Sequence, residues 1–269
     1  MGQPAMKSHY LPGDRAFLRY LEVPGDDPPL LWLHGWQCSS TAELLPAAVR
    51  APLRGRRSVL VDFLGHGYSD RPPAFDYGIE EHARTIVELI DGLGLPACGL
   101  VGHSMGGAVA VLVAAMRPSI VSLVVLAEAN LEADGGPRFE GQSEAEFVEH
   151  GFEALLDAQT REAEAQPGGL RAAHVGITRL IDPRAIYREA GSLAGGTDPS
   201  VRSLLAELPM PRWYLLGELS GPEPELERDL VAAGVGWKVV PATGHAMGLQ
   251  NPEGFATTVA EALAESWTR

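Results

Sequence analysis

The stretch Leu100-Val101-Gly102-His103-Ser104-Met105-Gly106-Gly107 decides how this chain is read. It follows an apolar run, Ala97 to Val101, and precedes an Ala- and Val-rich run, Ala108 to Met116. The pattern predicts a buried strand, a tight turn and a helix. A serine held between glycines as G-x-S-x-G is how such a turn presents a nucleophile. The reason is steric. The turn demands strained backbone angles at the serine. Close approach of helix to strand leaves no room for side chains at Gly102 and Gly106. The Ser104 hydroxyl is then held clear of the sheet at a helix N-terminus, where developing negative charge is favoured.

Composition narrows the classes open to the chain. Its 269 residues, 45% hydrophobic, suffice for one large α/β core with an insertion. A formal charge of −14 argues against nucleic acid and anionic membrane as partners. The two cysteines, Cys38 and Cys98, form neither a disulfide framework nor a metal-binding spacing, which fits a reducing compartment. Met1 to Tyr10 has no apolar core of signal-peptide length. Position 6 is Met6, where a myristoylation pattern after Gly2 needs Ser or Thr. No apolar run approaches the roughly 20 residues of a membrane span. Dinucleotide, zinc and P-loop signatures are missing. The expectation is a cytoplasmic protein with no cofactor and no metal.

Outward from the elbow, strands and helices alternate. Residues 14–23 partly alternate as an edge strand would. Pro24-Gly25-Asp26-Asp27-Pro28 reads as a turn. Leu30 to Leu33 is a short continuous apolar run, expected of a strand buried on both faces, and ends at His34-Gly35-Trp36. Residues 39–50 predict a short helix capped by Ser39, Ser40 or Thr41. Ser58 to Val61 is the next buried strand and runs into Asp62 to Ser69. Ile79 to Leu93 has helical spacing and stops at Gly94 with Pro96 beyond. Ile120 to Ala127 is a further buried strand.

Residues 129–208 carry no strand-like run. Glu144 to Glu164 is amphipathic, with Phe147, Phe152, Leu155 and Leu156 on its apolar side, and three further short helices follow. Strand character returns at Trp213 to Leu216 and at Trp237 to Val240, around a helix from Pro224 to Ala233. The loop holding Gly244-His245 leads to a last helix, Pro252 to Trp267. The fold class is therefore α/β: a mostly parallel sheet of roughly eight strands flanked by helices. Residues 1–128 and 209–269 form the core, and residues 129–208 form a helical cap. In such sheets the functional loops lie beyond the carboxyl ends of the strands. His34-Gly35-Trp36, Asp62 to Ser69, Ser104 and His245 all lie at such ends.

With these segments in this order, the chain resembles the α/β-hydrolase family, specifically its capped, esterase-like members, over nearly its whole length. The resemblance implies a serine hydrolase that cleaves a carboxylic ester, thioester or lactone through an acyl-enzyme on Ser104. His245 would be the base, since a serine hydroxyl is a poor nucleophile on its own. The backbone N–H groups of Trp36 and Met105 would form the oxyanion hole. The acid departs from the family pattern. Its usual place falls in Gly217-Glu218-Leu219-Ser220, where Ser220 stands at the carboxylate position. Two alternatives remain. Glu128 directly ends a buried apolar strand, which is costly for a carboxylate without a partner. Some members, including those resembling haloalkane dehalogenases, take their acid from that strand end. Glu218 or Glu223, near the usual place, is the other choice.

Ser104 argues against epoxide opening and halide displacement, which need an ester formed on a carboxylate nucleophile. Acyl transfer or cyclisation with the same triad, and ligand binding without catalysis, are the alternative functions. His34 and His66 read as loop braces, and His103 as a packing or hydrogen-bonding neighbour of the serine. His9, His82, His150 and His174 read as surface or satisfied core residues. Cys38 reads as a buried thiol. Phe139, Phe147, Phe152, Leu155, Ile177 and Leu180 of the insertion read mostly as packing, a minority facing the pocket. The implied partner is a small, partly apolar acyl compound.

Overall fold

The apolar runs become the middle of one eight-stranded sheet in the order β1-β2-β4-β3-β5-β6-β7-β8. The strands are β1 (Ala5–Leu11), β2 (Ala16–Val23), β3 (Asp26–Leu33), β4 (Arg56–Asp62), β5 (Cys98–His103), β6 (Val121–Ala127), β7 (Arg212–Gly217) and β8 (Gly236–Val240). β1 and β2 pair antiparallel, as do β2 and β4; every other pairing is parallel. The computed structural model describes residues 2–133, 139, 141–165 and 169–267.

Both faces of the sheet are covered, which is why its central strands read as unbroken apolar runs. Along β3, Leu31 and Leu33 enter one core and Leu30 and Trp32 the other. β6 repeats the division, with Val124 and Leu126 on one face and Leu123, Val125 and Ala127 on the other. The first core is covered by α3 (Ile79–Leu93) and α4 (Met105–Met116). The second is covered by α12 (Pro252–Trp267), whose Phe255 meets Trp32 edge-on at 6.3 Å. The short α1 (Ser40–Glu43) and α2 (Leu45–Ala48) lie on that side too, and α10 (Pro224–Ala232) and α11 (Met247–Gln250) flank β8 and the His245 loop.

Three local expectations need correction. The turn read over Pro24 to Pro28 is shorter, because β3 already starts at Asp26, with a register shift between Asp26 and Leu30. β1 went unread. Its residues are almost all exposed, so it has no burial periodicity, and its order comes from pairing with β2. Glu144 to Glu164 is not one regular helix. It is α5 (Glu144–Glu146), a π-helical turn over Phe147–Gly151 and α6 (Phe152–Ala165). The turn widens where Phe147 is buried, and a Cβ on Gly151 would lie 2.7 Å from that ring.

The segment between β6 and β7 also holds α7 (Leu170–Thr178), α8 (Pro183–Gly195) and α9 (Val201–Glu207). α8 joins the core through a buried polar knot. Glu189 Oε1 accepts from His66 Nε2 at 2.7 Å and from His82 Nε2 at 2.9 Å, and all three side chains are fully buried. His66 Nδ1 donates to the Cys38 carbonyl at 2.9 Å. Both His66 nitrogens therefore face acceptors, and the ring needs both protons. Burial alone lowers the His66 pKa, but the Glu189 carboxylate lifts it above the ordinary value. Burial alone raises Glu189, but the two histidines bring it below the ordinary value. Burial keeps His82 low.

A group with a raised folded value stabilises fully below its unfolded value and loses that contribution as pH climbs through the folded one. A group with a lowered value stabilises above its unfolded value and loses it as pH falls. The His66–Glu189 pair therefore contributes most between about pH 5 and about pH 6.5. Glu189→Gln should cost about 3 kcal/mol of unfolding free energy near the middle of that window. The difference from wild type should shrink as pH rises through the lifted His66 value. Urea titrations across the pH range would reveal it; a pH-independent difference would contradict the ion pair.

Candidate active site

Ser104 is the N-cap of α4 and sits at φ 53°, ψ −120°. That region costs an L-residue about 1–3 kcal/mol and is held only by its surroundings. Here Ser104 N–H donates to the Ala127 carbonyl at 2.9 Å, and the Ser104 carbonyl accepts from Asn130 N–H at 3.3 Å. The two glycines have the role their spacing predicts. A Cβ on Gly102 would lie 2.4 Å from the Gly106 carbonyl oxygen, and one on Gly106 would lie 2.3 Å from that of Leu33. Gly106→Ala should therefore destabilise the protein by about 3 kcal/mol, through overpacking against backbone that cannot yield. Chemical denaturation would measure this, and an unchanged midpoint would contradict the packing.

Ser104 Oγ donates to Asn130 Oδ1 at 3.3 Å and lines a cavity of about 380 Å³ together with His245. His245 follows β8 in an exposed loop and is 58% exposed. Its Nδ1 lies 2.7 Å from Glu128 Oε2. Donation from Nδ1 to a carboxylate selects the tautomer whose Nε2 is free to accept a proton. Glu128 stands one residue past β6 at φ 41°. Its Oε1 accepts from Gly217 N–H at 2.8 Å, and the Ser220 hydroxyl also bonds the carboxylate. Burial pushes the Glu128 carboxyl up, but the bonds from His245, Ser220 and Gly217 outweigh it and leave it below its ordinary value. Ser220, at the position where the family pattern has a carboxylate, is instead a donor to one.

The other acidic candidates lie elsewhere. Glu218 Oε2 accepts from Ala242 N–H at 2.8 Å and so braces the loop ahead of His245. Glu223 is exposed at the N-cap of α10. Trp36 and Met105 flank Ser104. Met105 is the first residue of α4, so its N–H has no acceptor within that helix. Trp36 follows Gly35, where a Cβ would fall 3.2 Å from Ser104 Cβ. The indole of Trp36 donates to the Ile186 carbonyl at 3.2 Å, which ties the loop to α8.

His34 is a brace, as its loop position implied. Its Nδ1 donates to the Gly35 carbonyl at 2.8 Å, and its Nε2 accepts from Phe63 N–H at 3.1 Å. This needs the neutral ring, and burial holds its pKa well below the ordinary value.

The far wall of the cavity comes from α6 and α7: Gln159, Glu162, Leu170, Arg171, His174 and Val175. The large apolar residues of the insertion pack, as most of them were expected to, and none of the six lines the cavity. Phe139, Phe147, Phe152 and Leu155 join the core beneath, and Ile177 and Leu180 line a separate surface groove. His174, read as a bystander, lies in the cavity wall, where burial lowers its pKa and keeps it neutral.

Glu43 is a site residue that the sequence does not signal. Ser40-Thr41-Ala42-Glu43 has capping-box spacing, an ordinary use for the glutamate. The helix is instead capped at Ser39, with no side-chain bond, and Glu43 is buried facing the cavity.

A family model described as alpha/beta hydrolase fold matches residues 28–174. Haloalkane dehalogenase 2 of Mycobacterium tuberculosis is 38% identical over 121 residues, 45% of this chain; the match spans only 41% of that protein's length. An N-acyl homoserine lactonase has the same fold, with a TM-score of 0.74 at 22% identity over 98% of both chains. An esterase from Thermogutta terrifontis gives 0.75 at 20% identity over 98% of this chain and 99% of its own. Among the described residues, no helix is long and apolar enough to cross a membrane.

Proposed function

The chain belongs to the alpha/beta hydrolase fold family, and on that premise we propose that it is a serine hydrolase acting on a carboxylic ester, thioester or lactone. The observation that carries this reading is the 2.7 Å bond from His245 Nδ1 to Glu128, beside a serine on a strained elbow. Ser104 is the nucleophile. His245 Nε2 takes its proton as Oγ attacks the carbonyl carbon. The oxyanion forms against the N–H groups of Trp36 and Met105, each worth about 3–4 kcal/mol in comparable sites. His245 returns the proton to the leaving oxygen or sulfur, and water then repeats the cycle on the acyl-enzyme. Glu128 fixes the His245 tautomer and offsets its charge when protonated.

Residues 129–208 act as a cap, of which α6 and α7 close the cavity over Ser104. Leu170, Val175 and Leu249 favour an apolar acyl or alcohol portion, while Gln159, His174 and Arg171 offer polar contacts. The dehalogenase likeness does not transfer its chemistry. Ser104 Oγ displacing a halide from carbon would leave an ether, which water does not cleave.

A fluorophosphonate probe tests the reading. Stoichiometric labelling that disappears in Ser104→Ala supports it. A folded wild-type protein that neither labels nor hydrolyses short p-nitrophenyl esters would make the chain a binding protein on a hydrolase scaffold.

A further inference from the structure

Beside Ser104, in the wall of the cavity, lies a second, buried pair of charged groups. His103 Nδ1 is 2.5 Å from Glu43 Oε1, and His103 Nε2 donates to the main-chain carbonyl of His245 at 2.7 Å. Glu43 is 1% exposed and His103 5%. The other Glu43 oxygen accepts from Gly35 N–H at 3.2 Å, and the Cys38 thiol lowers the pKa of the same carboxylate. One carboxylate thus touches the loop before Trp36, the elbow and, through one ring, the loop of His245. We propose that Glu43 and His103 are positioning residues, a buried carboxylate–imidazolium pair that holds the oxyanion loop and His245 in register with Ser104.

The protons can be assigned from the partners. A carbonyl oxygen only accepts, so His103 Nε2 carries a proton. Glu43 already receives the Gly35 N–H, which favours its ionised form, so His103 Nδ1, 2.5 Å from the carboxylate, carries one as well. The balance of burial and charge agrees. Burial alone raises Glu43 and lowers His103, yet their mutual attraction takes Glu43 below and His103 above their ordinary values. Burial and Glu43 also hold the Cys38 thiol well above its ordinary range, so it remains a donor.

The consequence is geometric. Glu128 holds the His245 ring from one side, whereas His103 holds the His245 backbone, with the two rings 4.7 Å apart. Gly35 is required by the same contact, because a Cβ there would lie 2.9 Å from His103 Nδ1. Removing the charge on Glu43 loosens two segments at once, and displacement of a reacting group by about 1 Å can cost about 100-fold in rate.

The proposal rests on the serine-hydrolase reading of Ser104 and His245, and two measurements separate their fates. The first is nitrogen NMR of histidine-labelled wild-type protein, with His103 assigned by its loss in His103→Gln. Both ring nitrogens should remain protonated at about pH 8, well above the ordinary histidine value; a neutral His103 ring there overturns the proposal. The second is the rate of fluorophosphonate labelling. Glu43→Gln should label about 100-fold more slowly, with kcat for an ester reduced and KM nearly unchanged. The double variant with His103→Gln should be no slower than the worse single variant, as expected of groups acting as a unit. Labelling of folded Glu43→Gln at the wild-type rate overturns the proposal. If Glu43→Gln does not fold, His103→Gln alone carries the labelling test. Wild-type protein that does not label at all defeats the hydrolase reading instead, and the ring protonation still decides the pair.

Discussion

Ser104→Ala is expected to lower kcat/KM on a p-nitrophenyl ester by about a million-fold, with stability within about 1 kcal/mol of wild type. The loss is large because the remaining groups have nothing to act on. In the proposed mechanism His245 and Glu128 serve to deprotonate one hydroxyl, and the N–H groups of Trp36 and Met105 stabilise an anion that forms only after its attack. A small residual rate should survive, since the oxyanion site still binds and polarises the carbonyl for attack by water. The fold should not notice the change. Alanine inherits the φ of 53° and loses only the 3.3 Å contact to Asn130. Steady-state kinetics with a titrated active-site concentration would check this. A variant within tenfold of wild type would remove Ser104 from the chemistry.

Glu128→Gln should cost about 10,000-fold in kcat while the protein remains folded. Glutamine preserves the shape and can still accept from Gly217 N–H, which the wild-type Oε1 does at 2.8 Å. It cannot carry the charge that stabilises protonated His245. Its amide can also donate to Nδ1, which favours the tautomer with the proton on Nε2, where it blocks transfer from Ser104. Glu218→Gln keeps an acceptor for Ala242 N–H, and Glu223 is exposed, so both glutamine variants should stay within a few-fold of wild type. Near-normal turnover by folded Glu128→Gln, with a loss in either of the others, would move the acid to the β7 loop.

The legibility of this molecule in its sequence followed burial. β3, β4, β5 and β6 are covered on both faces, so their apolar runs carry a signal that survives without alignment. β1 is exposed along nearly its whole length and is defined by its neighbour rather than by its own residues. The elbow was legible because its constraint is local: glycines two residues either side of a serine, each with a carbonyl within 2.4 Å of its missing Cβ. Apart from the family resemblance, Glu128 was legible as an unexplained cost, a carboxylate at the end of an apolar strand. Its partner lies 117 residues away, beyond the insertion. Glu43 carries no such cost, because a glutamate in the first turn of a helix is ordinary. The role proposed for it depends on two separate segments meeting the carboxylate and on a third reached through the His103 ring, and no spacing in the chain encodes that. The residues of the cavity wall are hidden in the sequence for a related reason. The large apolar side chains of the insertion fill the core beneath, which leaves the wall to smaller and polar residues of α6 and α7.

The position of Glu128 at the end of β6 divides the machinery unevenly along the chain. Trp36, Glu43, His103, Ser104, Met105 and Glu128 all precede the insertion, and only His245 follows it. Had the acid come from the loop after β7, base and acid would have travelled together on one fragment. Here their 2.7 Å contact bridges the insertion itself. A chain severed between β6 and β7 would yield two mute halves, one with the proposed nucleophile, acid and anion site, the other with the proposed base alone. Turnover would resume only when β7 zips onto β6, so a chromogenic ester would serve as a gauge of fragment complementation.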